Sequence, residues 1–108
     1  MSERTFPPDP HPLSEIDQVI HTPARLMILA YLYVVESVDY VFLMRLTRLT
    51  WGNLSTHLSR LEEAGYIVIK KGYQGKKPHT TVRLSSQGRA AFRKYKQSLQ
   101  KVFDDLPD

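Results

Sequence analysis

Between Trp51 and Ala64 the apolar side chains thin to a single file. Leu54, Leu58 and Leu61 stand at i, i+4 and i+7, and past Trp51 nearly everything between them is small or polar. This spacing predicts an amphipathic helix with one narrow buried stripe. Thr50 is placed to cap its start and Gly65 to end it in the left-handed conformation, so the helix runs over about 51–64. Upstream, Asp39 can cap a helix reaching about Thr47, with Tyr40, Leu43 and Leu46 or Thr47 turned inward. The stretch Thr47-Arg48-Leu49-Thr50 leaves room for a tight turn only.

Two helices joined in this way form a helix-turn-helix. Before them, Thr22-Pro23 reads as an N-cap followed by proline at the first helical position, opening a helix from Ala24 to about Val35. Leu26, Ile28, Leu29, Leu32 and Val35 are apolar, and Met27, Tyr31 and Val34 sit on the other side. A helix apolar nearly all round is expected to be buried on both faces, within the core or between subunits. Ahead of it, Ser14 caps a predicted short helix with Glu15 and Asp17 in its first turn and Ile16, Val19 and Ile20 on one face. Residues 1–13 contain four prolines, Pro7, Pro8, Pro10 and Pro12, and predict an extended arm.

After Gly65 the period changes from 3.6 to 2. Tyr66–Lys71 and Thr80–Leu84 read as strands, separated by a basic loop, Gly72–His79, with two glycines. Ser85 or Ser86 caps a last helix over 86–103, whose Ala91, Phe92, Tyr95, Leu99, Val102 and Phe103 recur every three to four positions. The expected architecture is mainly α with a small β-hairpin: a winged helix-turn-helix domain over 14–108, preceded by the arm and closed by a dimerisation helix.

Composition narrows the function. The 108 residues, 42% hydrophobic and 24% charged, suit one ordinary globular domain. No apolar run approaches the roughly 20 residues needed to span a bilayer. Met1–Pro8 lacks an apolar signal core, so a cytoplasmic location is expected. There is no cysteine, hence no disulfide, thiolate metal site or thiol nucleophile. The net charge of +4 is unevenly spread: over 41–103 the acids are Glu62 and Glu63, whereas 1–40 and 104–108 are acidic. A basic stretch of domain size suits a polyanion.

At 100° per residue, the positions opposite the leucine stripe are Gly52, Thr56, Ser59, Arg60 and Glu63, with Asn53 at the margin. Short polar groups and one arginine allow close approach to base edges in a major groove. An ordinary solvated helix usually carries more Glu and Lys there. The amides near Trp51–Asn53 can meet a phosphate. Lys70, Lys71, Lys76, Lys77 and Arg83 load the hairpin with positive charge, which fits a phosphate backbone or the minor groove, although such a hairpin alone could simply be solubilising. His79 is expected to join it. Trp51 can stack on a sugar or base, or pack on the preceding turn. His57 is expected to flank the helix near core or backbone. Neither histidine has companions at metal-ligand spacing, and no nucleophile–base pair or phosphate loop supports catalysis. No cofactor or metal is expected.

Phe92, Tyr95, Leu99 and Phe103, left uncovered, would form a large apolar patch. With Val102, Met27 and Tyr31 they are the expected dimerisation residues. The alternative is that the last helix folds back on its own domain, and the two arrangements are compatible.

The runs Ile20-His21-Thr22-Pro23-Ala24-Arg25-Leu26-Met27-Ile28-Leu29, Leu49-Thr50-Trp51-Gly52-Asn53-Leu54-Ser55-Thr56-His57-Leu58 and Leu61-Glu62-Glu63-Ala64-Gly65-Tyr66-Ile67 resemble the small single-domain MarR/ArsR-type winged-helix regulators. Gly75-Lys76-Lys77-Pro78-His79-Thr80 and Leu84-Ser85-Ser86-Gln87-Gly88-Arg89-Ala90-Ala91-Phe92 are similar to that group's wing and dimerisation helix. The resemblance covers about 14–103. It implies a homodimer on double-stranded DNA, with contacts from Thr50, Gly52, Asn53, Ser55, Thr56, Arg60, Lys76 and Lys77. Arg48, where a small residue or glycine is usual, and the bulky Trp51 depart from the pattern. The metal-sensing branch's ligand sets are absent. The expected function is a sequence-specific transcriptional regulator, a repressor by promoter occlusion, with a small-molecule effector left open. The competing expectation is a winged helix used only for protein contacts.

Overall fold

The computed structural model describes residues 16–108; the predicted proline-rich arm and the Ser14 cap lie outside them. The elements are α1 (Pro23–Val34), β1 (Val38–Asp39), α2 (Tyr40–Thr47), α3 (Trp51–Glu63), β2 (Ile67–Gln74), β3 (Lys77–Leu84) and α4 (Ser86–Asp104). Each helix starts where a short polar side chain accepts a backbone N–H of its own first turn. Thr22 takes the amide of Arg25, Asp39 that of Phe42, Thr50 that of Asn53 and Ser85 that of Gly88. Such a cap is worth about 0.5–2 kcal/mol over alanine. α3 ends in a Schellman turn: Gly65, at φ 81°, donates to the Glu62 carbonyl and Tyr66 to that of Leu61.

The leucine stripe of α3 enters the core as expected, with Leu54, Leu58 and Leu61 at 0–1% exposure. They meet Ile28, Leu29 and Leu32 of α1, Leu43 of α2, and Ile67, Val82 and Leu84 of the sheet. Among the described residues no helix is long and apolar enough to cross a membrane.

Three expectations are corrected. The helix expected from Ser14 is, from residue 16 on, a single turn. The Asp17 carboxylate accepts the amides of Val19 and Ile20, at 2.8 and 3.3 Å, and Pro23 stops the next turn from forming. Ile16 and Ile20 are nonetheless buried. The expected 72–79 loop is strand: pairing runs from Ile67↔Leu84 to Gln74↔Lys77, leaving only Gly75-Lys76 to turn. Gly75 has φ 67° and Lys76 a negative φ, the pattern of a type II′ hairpin. A third strand, β1, lies beside β3 (Val38↔Val82, Asp39↔Thr81), giving the antiparallel order β1-β3-β2. Two residues are too few to show an alternating pattern. On α1 the single chain leaves Met27 43% and Val34 78% exposed, so coverage of that face within the core is not found.

A short strap, residues 16–21, ties the N-terminal side to the end of the domain. Tyr66 donates its hydroxyl proton to Asp17, Arg25 donates to the Val19 carbonyl, and His21 Nδ1 lies 2.9 Å from the Tyr95 hydroxyl. Burial first, then the Asp17 contact, pushes the Tyr66 phenol up to about 12. A phenol whose pKa rises on folding stabilises the fold below its unfolded pKa of about 10 and loses that contribution as pH rises. Thermal stability is therefore expected to fall more steeply between pH 10 and 12 in the wild type than in Tyr66→Phe, as read by melting temperature; parallel curves would overturn the contact.

Gly88 in α4 gives a second prediction. Alanine in a helix normally improves on glycine by about 1 kcal/mol. Here an added Cβ would meet the Tyr66 carbonyl oxygen at 2.0 Å, so helix and sheet would have to separate. Gly88→Ala is expected to destabilise by roughly 1–3 kcal/mol in denaturant titration; a gain in stability would contradict the close approach.

Candidate nucleic-acid interface

With its leucines inside, α3 leaves Trp51, Gly52, Asn53, Thr56, Ser59, Arg60 and Glu63 exposed. A Cβ built on Gly52 meets nothing within 4 Å, so the chain itself has no packing need for glycine there. Thr56 donates its hydroxyl back to the Gly52 carbonyl at 3.1 Å, which keeps the side chain close to the helix. This face is low in relief apart from Trp51, Arg60 and Glu63.

Not every candidate on α3 faces outward. Tyr40, buried at the start of α2, donates its hydroxyl proton to the Trp51 carbonyl at 2.8 Å. Ser55 Oγ, 2.5 Å from the same hydroxyl, must then be the donor in that contact, so half-buried Ser55 is engaged inward. Trp51 packs against Tyr40 at 4.2 Å between ring centres, the planes tilted by 35°, and is still 59% exposed. One face of Trp51 therefore packs, on the start of α2 and not on the turn just before it, and the other is open. His57 turns towards α1, where Arg25 donates to its Nδ1 at 3.2 Å. Burial, and then the Arg25 charge, hold His57 below the ordinary imidazole range and favour the neutral ring.

The hairpin stands beside α3. A cleft of about 530 Å³ is lined by Tyr40, Trp51, Ser55, Ser59 and Glu62 on the helical side and by Ile69, Lys71 and Thr80 on the strands. Strand alternation divides the basic residues. Lys71 and its cross-strand neighbour Thr80 face α3, whereas Lys70, opposite Thr81, faces away beside Arg83, Glu36 and Ser37. Lys70 is therefore not brought together with the α3 face. Lys76 and Lys77 are exposed at the tip, and His79, half-buried opposite Gly72, shares Lys70's face and is likewise not brought together with α3.

Two residues join the candidates from structure. Tyr73, two positions beyond Lys71 on the same strand face and 77% exposed, stands at the tip opposite Pro78; period-2 counting along a longer strand would have found it. Arg48, exposed between α2 and α3, holds φ 58°, the conformation that glycine adopts freely.

The expected dimerisation residues separate into two places. Leu26 of α1 with Phe92, Tyr95, Leu99 and Phe103 of α4 borders an apolar groove of about 350 Å³. Tyr95 is only 3% exposed and faces His21, while Phe103 is 61% exposed. Val102 is half-buried. Met27 and Tyr31 lie outside this groove, and Tyr31 packs on Phe42 at 4.9 Å. At the base of α4, Arg89 lies 4.6 Å above the Tyr33 ring, and a hydrogen bond from Arg93 leads the influences that lower the Tyr33 phenol's pKa.

This geometry has relatives. An uncharacterized protein of Methanocaldococcus jannaschii is 35% identical over 78 residues, which is 72% of this chain and 85% of that protein. A transcriptional regulator homologue from Pyrococcus horikoshii OT3 superposes with a TM-score of 0.80 at 28% identity, covering 88% of this chain and 98% of the other. A MarR-family protein of Porphyromonas gingivalis W83 shares the fold at a TM-score of 0.66 and 17% identity, over 95% and 100% of the two chains. The model of the winged helix DNA-binding domain matches residues 24–103, from the start of α1 almost to the end of α4, and the chain belongs to that family.

Proposed function

We propose that the protein is a sequence-specific regulator that binds double-stranded DNA as a homodimer and represses transcription by occluding a promoter. The observation that carries this reading is the shared cleft: an α3 face of short polar side chains beside a strand face carrying Lys71. In the proposed complex α3 lies in the major groove. Asn53, Thr56, Ser59 and Arg60 face base edges there, and Gly52 lets the helix start approach closely. Thr50 and Trp51 lie beside the backbone at the helix start. Lys71 meets phosphates with Tyr73 beside it on the same face, and Lys76 and Lys77 do so from the tip, whereas His79 lies on Lys70's face of the ribbon and takes no part. Phosphate contacts supply most of the affinity and the α3 face the discrimination. Two copies related by a two-fold axis would match a palindromic site.

Duplexes selected from a random pool provide the specific site. In fluorescence anisotropy, Arg60→Ala is expected to weaken that site by about 1–3 kcal/mol while leaving random duplex nearly unchanged. Equal losses on both would overturn a base-reading role for Arg60. Replacing Lys76 and Lys77 by alanine should weaken every duplex alike and flatten the salt dependence by about 0.9 in log–log slope for each phosphate contact removed. Binding indifferent to salt would favour the protein-contact reading of the fold. Repression itself is read from a reporter carrying the selected site.

A further inference from the structure

We propose that Arg25, with His57 beside it, holds a DNA phosphate on the wall of the major groove opposite the hairpin. This rests on the DNA-binding reading above and adds a contact on the groove's second wall. Geometry is the first support. A major groove is about 12 Å wide and a helix about 10–12 Å across, so both flanks of a helix lying in it meet phosphate backbones. Around α3, at 100° per residue, the buried leucines mark the inner side and Gly52, Thr56 and Arg60 the outer side. The hairpin covers the flank of Ser55, Ser59 and Glu62, where Lys71 stands. His57 lies on the other flank, between the core and exposed Asn53 and Arg60, and there α1 brings Arg25 against it. The lysines placed on phosphates above all belong to the hairpin, on the first wall.

Charge is the second support. Arg25 is the one described arginine that is not exposed. Taking a guanidinium out of water is costly unless an anion or a full set of acceptors meets it. Among the described residues, the hydrogen bonds of Arg25 go to neutral acceptors. Its Nε donates to the Val19 carbonyl and a terminal nitrogen to His57 Nδ1, the latter at 3.2 Å. Its remaining N–H groups and its charge are left for an anion. The same two contacts brace the guanidinium between the strap and α3, so little side-chain freedom is lost when an anion arrives. They also set the histidine. Because Nδ1 accepts from Arg25, the neutral His57 ring carries its proton on Nε2, which supplies a second donor to the same phosphate.

The test uses the full chain and duplexes carrying the selected site, each with one phosphate replaced by a neutral methylphosphonate. In fluorescence anisotropy, the positions whose penalty disappears in Lys71→Ala mark the hairpin wall. A further sensitive position is expected on the facing strand across the major groove, where the modification weakens wild-type binding roughly tenfold. Arg25→Gln should bind unmodified duplex roughly tenfold more weakly and flatten the log–log salt slope by about 0.9. It should lose its sensitivity at that one position while keeping the penalties along the hairpin wall. An arginine that merely braced the strap against α3 would, when replaced, weaken all duplexes alike and leave every methylphosphonate penalty as in the wild type; that result overturns the assignment. Where Arg25→Gln fails to fold, the wild-type scan and His57→Ala decide, the latter expected to reduce the penalty at the same position alone. A scan with no sensitive phosphate on the facing strand overturns the proposal and leaves DNA binding through α3 and the hairpin intact. Wild-type binding indifferent to salt would end the DNA-binding reading and this one with it.

Discussion

Three leucines on α3 can be buried in only one way, and the rest of the arrangement follows from that. Leu54, Leu58 and Leu61 sit against side chains of α1, α2 and the sheet with essentially no exposure. Each contributes about 1.5–3 kcal/mol by leaving water, so rolling α3 by one residue would forfeit several kcal/mol and bury polar groups without partners. The outward face is therefore held by the core and not by its own contacts. This suits a surface whose side chains must be free to meet something else.

The start of α3 is held separately. Tyr40 reaches from α2 to the Trp51 carbonyl and to Ser55, and its ring supports Trp51. The residue before Tyr40, Asp39, belongs to β1 and caps α2 at once, while β1 pairs with β3. α2 and α3 are thus joined by hydrogen bonds and aromatic packing, and the wing is tied to α2 by the β1–β3 pairing, in addition to the common core. The hairpin cannot be displaced at its base without disturbing the strand that leads into α2.

Much of the fold was legible because its signals are local. N-caps, the left-handed Gly65, the leucine stripe and the change of period all act within a few residues, and the structure follows them closely. The misreadings have local causes as well. Asp17 competes for the amides that a helix would have used, and the glycines of the hairpin look like loop until the tight turn at Gly75 is known. The candidate interface was less legible. Ser55 has the right chemistry and position on α3, but a hydroxyl from α2 engages it; Lys70 and Lys71 look equivalent in sequence, but adjacent strand residues face opposite ways.

The sequence by itself determined the four helices α1–α4 and the presence of a hairpin after α3, which face of α3 turns inward, and that the positive charge is gathered after residue 40. These are set by side-chain volume, capping chemistry and periodicity, which need no knowledge of distant neighbours. Only the tertiary structure decided that β1 exists, that Tyr40 supports Trp51, that Lys71 and not Lys70 shares a cleft with α3, and that Tyr95 is covered by its own chain. Each depends on groups far apart in sequence meeting in space, and such meetings are fixed by the packing of the whole core rather than by any residue's own preference.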